Sequence, residues 1–195
     1  MPEPIAAAAH YLVAQNIPVG SHVAVFDLGG GTFDTAILRR TVAEFELVGQ
    51  PGGDANFGGE DLDEMLQDVV AGHARARDEQ AWKELWTAND ASGRRNRVLL
   101  RQEIVGLKHA LSDYSTATIN VPGYTDEIRI TRAEYEAAAR PDLERLVGLL
   151  EQTIASVGLT PSALAAIYLT GNASRMPAIA DVVAQRFGRQ PDGAR

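Results

Sequence analysis

No cysteine occurs anywhere in the chain. Disulfides and thiolate metal centres are therefore excluded, and a reducing compartment is compatible with the composition. Basic residues are the minority, 18 Lys and Arg against 26 Asp and Glu, for a net charge of −8. No basic stripe stands out, which argues against a footprint for nucleic acid or for an anionic membrane surface. No apolar run approaches the length of a membrane span. The apolar opening MPEPIAAAAHYLVAQ lacks the positive start of a signal peptide and reads instead as a helix over residues 4–15. His10, His22 and His73 show no metal-ligand spacing, and there is no Ser–His–Asp pattern, repeat or low-complexity segment. What remains is a soluble chain, expected in the cytoplasm. Its hydrophobic content of 45% is enough for one domain or two packed subdomains.

HVAVFDL (22–28) is a continuous apolar run suited to a buried strand. TFDTAILRR reads as a second strand and AEFELVG (43–49) as a third. An amphipathic helix is expected over 59–71. A charged stretch, 75–97, carries Trp82 and Trp86 and reads as a helix, a turn at NDASG, and a further helix to about residue 112. The two tryptophans are read as packing residues, and RRNR (94–97) as a solvated helix start. ATINVPG and EIRIT suggest a short strand pair, and TRAE (131–134) is a capping box opening a helix. Pro141 is expected to divide that helix from a second one over 142–157. LAAIYLTG is a last buried strand and SRMPAIADVVAQRF a last helix, after which GRQPDGAR trails off. The pattern is α/β, with a mainly helical subdomain at 58–134 inserted into a core formed by 1–57 and 135–195.

The most informative stretch is DLGGGTFD, residues 27–34. A P-loop would need a lysine and a following helix, and a dinucleotide fingerprint also needs a following helix. Here a strand follows, so the arrangement is a hairpin with a nearly bare backbone tip. Glycines allow close approach, and successive N–H groups can face an anion. Two aspartates beside a phosphate would repel it, and they make sense if a hard cation sits between. Mg²⁺ fits, because it keeps its waters and takes few carboxylates alongside substrate phosphates. The plainer alternative is a hairpin whose tip simply requires glycine.

DLGGGTFD resembles the second phosphate loop of the DnaK-type heat-shock chaperones, the seventy-kilodalton heat-shock protein family within the actin-like ATPases. Other segments resemble the same family in the same order. EPIAAAAHYL is similar to its EPTAAA segment, FGGEDLDEML to LGGEDFD, LKHALS to AKRTLS, ITRAEYE to ITRARFE and LTGNASRMPAI to VGGSTRIPKI. The resemblance covers nearly the whole chain. It implies lobe II of an actin-like (ribonuclease H-like) ATPase domain: a mixed sheet flanked by helices with an inserted, mainly helical subdomain. It further implies a fragment of a longer protein, without lobe I and without a peptide-binding domain.

Carried over by motif, the resemblance assigns Gly29, Gly30, Gly31 and Thr32 to the β- and γ-phosphates of ATP or ADP. Asp27, with Asp34, would hold Mg²⁺ through water. Glu3 would orient the metal's waters or the attacking water, making Glu3, Asp27 and Thr32 the catalytic set. Pro4 corresponds to a proline that relays nucleotide state. Gly59, Lys108, His109, Ser112, Gly171, Asn172 and Arg175 would line the nucleotide site. Several positions depart from the family. Val105 stands where an acidic residue is expected to bind ribose, His109 where an arginine stacks on adenine, Asn172 replaces a glycine, and Ala173 a serine. A ribose hydrogen bond is worth roughly 0.5–1.5 kcal/mol net, so these losses bear on affinity. Two readings follow. One is half of the nucleotide site of an ATP-hydrolysing chaperone, inactive without lobe I and open to a nucleotide-exchange factor or co-chaperone. The other is a degenerate, non-hydrolysing module acting through protein interaction.

Overall fold

A computed structural model describes residues 17–193; the expected helix at 4–15, with Glu3 and Pro4, lies outside the described residues. The chain divides into two compact units, one of Met1–Glu60 with Pro141–Arg195 and one of Asp61–Arg140.

In order along the chain, the elements of the first unit begin with β1 (His22–Leu28), β2 (Phe33–Arg40) and β3 (Phe45–Asp54). Helix α1 (Gly59–Arg77) then leads into the second unit, which holds α2 (Glu79–Thr87), α3 (Ala91–Asp113), β4 (Thr116–Ile119) and β5 (Ile128–Thr131). Helix α4 (Arg132–Ser156) leads back to β6 (Leu164–Thr170), α5 (Pro177–Phe187) and β7 (Asp192–Gly193). The architecture is α/β, and the larger sheet is mixed. Its order is β3-β2-β1-β6-β7, with β1–β2 and β2–β3 antiparallel and β1–β6 and β6–β7 parallel.

The continuous apolar runs of β1 and β6 arise because both faces of the sheet are buried. One face carries Val23, Val25, Ala36, Leu38, Ala166 and Tyr168, rimmed by Ile17, Phe45 and Leu47. By the two-residue period of a strand, Ala24, Phe26, Ile37, Ile167 and Leu169 occupy the other face, and all are buried. The Phe26 and Phe33 rings lie 4.4 Å apart. On that second face one polar pair is buried as well, the Thr35 and Thr153 hydroxyls 2.7 Å apart.

Several expectations change, among them the helix expected over 59–71, which runs on to Arg77. β3 does not stop at residue 49 but runs on through GQPGGD to Asp54. Turn-forming residues enter the strand because a bulge interrupts the β2–β3 register between Thr35 and Ile37, with Gly49 at φ +72. Pro141 does not divide α4. The missing N–H costs one helical bond, yet Tyr135 and Ala139 before it and Leu143, Leu146 and Leu150 after it are all buried and hold the helix through the break. Finally, the tail pairs with the sheet, Tyr168 with Asp192 and Leu169 with Gly193. Arg189 reinforces this end by donating to the carbonyls of Leu164 and Ala165.

In the second unit, Leu62, Leu66, Val70 and Ala74 recur every fourth residue of α1 and are buried. The capping box forms as the sequence indicates: Glu134 accepts from the Thr131 N–H at 2.9 Å, and the Glu134 N–H donates to the Thr131 hydroxyl. Trp82 is buried beside Trp86, with the Arg75 guanidinium over its ring. RRNR is more than a solvated start, since Arg97 donates to the carbonyls of Leu85 and Ala88 at the end of α2. Among the described residues, no helix is long and apolar enough to cross a membrane.

Candidate functional site

The apolar face of the sheet in the first unit turns polar at one row. Tyr168, Val25 and Ala36 stand in register across β6, β1 and β2. Two residues further along, the row is Thr170, Asp27 and Asp34. Asp27 and Asp34 are direct cross-strand partners, so their carboxyl groups share a face with Cβ atoms roughly 5 Å apart. Asp34 is exposed and Asp27 half-buried. The row lies at the carboxyl ends of the parallel strands β1 and β6, where ligands of open α/β sheets bind.

Beyond it the chain makes a tight turn closed by the Gly29 N–H donating to the Thr32 carbonyl at 2.9 Å. The Thr32 hydroxyl donates to Asp34 at 3.1 Å. Two carbonyls of the turn are taken from below: the Gly59 N–H donates to Gly29 and the Glu60 N–H to Gly30, both at 2.8 Å. These are donors of the first turn of α1, which has no intrahelical use for them. Gly58 makes the approach feasible, because a Cβ there would fall 2.6 Å from the Gly31 Cα.

Gly30 and Gly31 themselves are different. Neither has a left-handed φ, and a Cβ on either would meet nothing within 4 Å. Among the described residues their N–H groups meet no acceptor. Nothing among the described residues requires glycine at these two positions. A phosphate pressed against bare backbone would require it.

The opposite rim is the turn after β6. Gly171 has φ +83, and its Cβ would collide with the Leu28 carbonyl and come within 2.6 Å of Asp27 Oδ1. The backbone of Gly171 therefore lies against the Asp27 carboxylate. Asn172, Ala173 and Arg175 belong to the short 3-10 turn that follows, so the positive φ falls on Gly171 and not on Asn172. Ser174, buried in the same turn, accepts from the Leu28 N–H at 3.3 Å and donates to the Thr170 carbonyl, tying β1 to β6. Sequence reasoning passed over Ser174, although a hydroxyl just before Arg175 was the available signal.

The donor set suits a hydrated Mg²⁺ and phosphates. Two carboxylates face each other; among the described residues, N–H groups that meet no acceptor lie beside them, and no cluster of three or more metal-ligating side chains exists. A dehydrated Zn²⁺ or Ca²⁺ cage would need more ligands.

In the second unit, α3 carries Lys108, His109 and Ser112. Lys108 Nζ lies 2.8 Å from Asp63 Oδ1, an ion pair largely removed from solvent. The Ser112 hydroxyl donates back to the Lys108 carbonyl. His109 is exposed, and Val105, one turn earlier, is 41% exposed. Asp63 was another residue not singled out, although it closes the GGEDLD motif.

Known proteins place the chain further. A family model described as "Hsp70 protein" matches residues 1–194. The Chaperone protein HscA homolog of Variovorax paradoxus (strain S110) is 35% identical over 191 residues, covering 97% of this chain and 28% of that protein. The Chaperone protein HscA homolog of Pseudomonas fluorescens (strain SBW25) is 33% identical over 189 residues, with 97% and 28% covered. Chaperone protein HscA of Pectobacterium carotovorum subsp. carotovorum (strain PC1) is 32% identical over 191 residues with the same coverage. The chain thus spans between a quarter and a third of the length of these curated relatives. With a model matching nearly every residue and a mixed α/β fold consistent with an actin-like ATPase, the chain belongs to the Hsp70 family.

Proposed function

We propose that the chain is lobe II of the ATPase domain of an Hsp70-type chaperone and supplies the second phosphate loop of its nucleotide site. The observation carrying this reading is the pair Gly30 and Gly31: among the described residues, their N–H groups meet no acceptor and open space lies where side chains would stand. Glycine at both positions is explained by a ligand's close approach.

In this reading Gly29, Gly30, Gly31 and Thr32 bind the β- and γ-phosphates of ATP or ADP. Asp27 and Asp34 hold Mg²⁺ through its waters, and Glu3 orients a water. Gly59, Lys108, His109, Ser112, Gly171, Asn172 and Arg175 complete the nucleotide contacts. When bound, the metal supplies charge neutralisation for the transferring phosphoryl group. The protein's share is positioning and electrostatics. Residues 1–57 and 135–195 serve as the actin-like core and 58–134 as the inserted subdomain. Lobe I is the obligatory partner, a nucleotide-exchange factor or co-chaperone a further one, and the cytoplasm the site of action.

A second reading, an interaction module without hydrolysis, is favoured by Val105, an exposed valine where ribose recognition calls for a carboxylate. Calorimetric titration of the intact protein with Mg-ADP and Mg-ATP separates the two. Micromolar or tighter binding, lost in Thr32→Ala and Gly30→Asp, sustains the nucleotide site. A folded protein that binds nothing at millimolar nucleotide sustains the interaction module.

A further inference from the structure

The phosphate loop does not hold its shape alone. Residues 54–58 pass beneath it as a strap joining the end of β3 to the start of α1. At one end, Asp54 pairs with Phe33 at the close of the β2–β3 ladder, and Gly53 packs against the Phe33 carbonyl and the Asp34 Cα so tightly that a Cβ there would overlap them. At the other end, Gly58 lies against Gly30 and Gly31, and the next two N–H groups bind the carbonyls of Gly29 and Gly30.

One side chain outside the loop grips the strap at both ends. Arg145, on α4, donates from Nη1 to Asp54 Oδ2 at 2.6 Å and from Nε to Asp142 at 3.3 Å. Its guanidinium also sits over the Phe57 ring, 5.1 Å from the centroid. Asp54 is turned into the strap by the Asn56 N–H, which donates to Oδ1 at 2.9 Å. Phe57 is buried and immediately precedes Gly58. A planar, always-charged guanidinium holds its donors in a fixed fork and lies flat on a ring; an ammonium has neither the fork nor the flat face.

We propose that Arg145 is a positioning residue for the phosphate loop: by clamping Asp54 and Phe57 it fixes Gly58, and so keeps the loop carbonyls bonded to Gly59 and Glu60 and the Gly30 and Gly31 N–H groups available to an anion. The geometric part stands on the contacts above; the anion rests on the nucleotide reading. Among the described residues, Arg145 meets Asp54, Asp142 and Phe57, none of them a proposed nucleotide-binding residue, so its influence passes through the strap.

The test uses Arg145→Ala and Arg145→Lys in the intact protein, with two readouts. In Arg145→Ala, the amides of Gly59 and Glu60 are expected to lose hydrogen-exchange protection while those of Val25 and Ile37 keep theirs. Mg-ADP affinity is expected to fall about tenfold, and adenosine affinity by less than about twofold, because the clamp acts on the phosphate end alone. Arg145→Lys, which keeps the charge but not the fork, should recover part of both. Unchanged exchange at Gly59 and Glu60 would overturn the proposal. So would equal losses for ADP and adenosine accompanied by lost protection across β1 and β2, the mark of a merely structural residue. If the wild-type protein binds no nucleotide, the nucleotide reading falls, and exchange at Gly59 and Glu60 still decides whether Arg145 holds the loop.

Discussion

Asp27 and Asp34 stand directly opposite each other across the β1–β2 ladder, two carboxylates on one face at the mouth of a glycine turn. Like charges in this register weaken a sheet by roughly 0.2–1 kcal/mol. Asp34→Asn relieves the repulsion and still offers an oxygen to the Thr32 hydroxyl. Without Mg²⁺, the thermal midpoint of Asp34→Asn is expected to rise by a few degrees at most, about 2–4 °C per kcal/mol for a chain of this size. With Mg²⁺, the metal dependence of nucleotide affinity should shrink. A lower midpoint for Asp34→Asn in metal-free buffer would show that the carboxylates do not repel and would remove the electrostatic case for a cation between them.

The glycines of the site divide into two kinds, and alanine substitution should separate them. Gly30→Ala meets no atom and needs no left-handed φ, so stability should hold or rise by about 0.5 kcal/mol, as for other compatible Gly→Ala changes. Its ADP affinity should drop at least about tenfold. Gly171→Ala puts a Cβ into the Leu28 carbonyl at φ +83 and should lose roughly 2–4 kcal/mol of stability. Urea denaturation of both variants measures the contrast. A destabilised Gly30→Ala would mean that the tip needs glycine for its own conformation, the plainer alternative raised by the sequence.

Much of this arrangement was legible in the residues because local patterns dictate it. Continuous apolar runs gave β1 and β6, and the glycines between two strands gave the hairpin and its bare tip. The Thr131–Glu134 capping box needed only a spacing of three. The features that escaped depend on distant parts of the chain. β3 runs through Gly49, Pro51, Gly52 and Gly53 because Phe33 and Thr35 of β2 pair with its far end. β7 is two residues long and carries no apolar pattern, so only its pairing with Tyr168 and Leu169 defines it. The Asp54–Arg145 pair joins residues 91 apart in sequence, and no spacing rule reaches that far.

The Thr35–Thr153 pair makes a prediction about the core beneath the site. The Thr153 hydroxyl donates to the Leu149 carbonyl, so the single proton between the two threonines must come from Thr35. Thr153→Val would leave the Thr35 hydroxyl buried without its acceptor, at about 1–3 kcal/mol. Thr35→Val removes the donor instead and leaves Thr153 with its bond to Leu149, so it should be the milder change. The double variant should be less destabilised than the two single variants summed, a coupling of about 0.5–3 kcal/mol in a double-mutant cycle. Strict additivity would mean that the two hydroxyls do not share a bond.

Glu134 gives the second unit a defined response to acid. Its carboxylate accepts from the Thr131 hydroxyl and N–H and lies 2.8 Å from His73 Nε2. These interactions, the Thr131 bonds first, hold its carboxyl below the ordinary glutamate value of 4.5. A group with a depressed folded-state value stabilises the fold above its unfolded value and loses that contribution as pH falls through the folded one. The capping box should therefore be intact at pH 5 and above and weaken progressively below 4.5. Glu134→Gln keeps an acceptor but removes the titration, so its stability should depend less steeply on pH between about 5 and 3 than that of the wild type. Loss of the cap altogether in Glu134→Ala should lower stability by about 1 kcal/mol near neutral pH. Parallel acid-denaturation curves for wild type and Glu134→Gln, followed by far-ultraviolet circular dichroism, would mean that the Thr131–Glu134 bonds give the folded chain no preference for the ionised carboxylate.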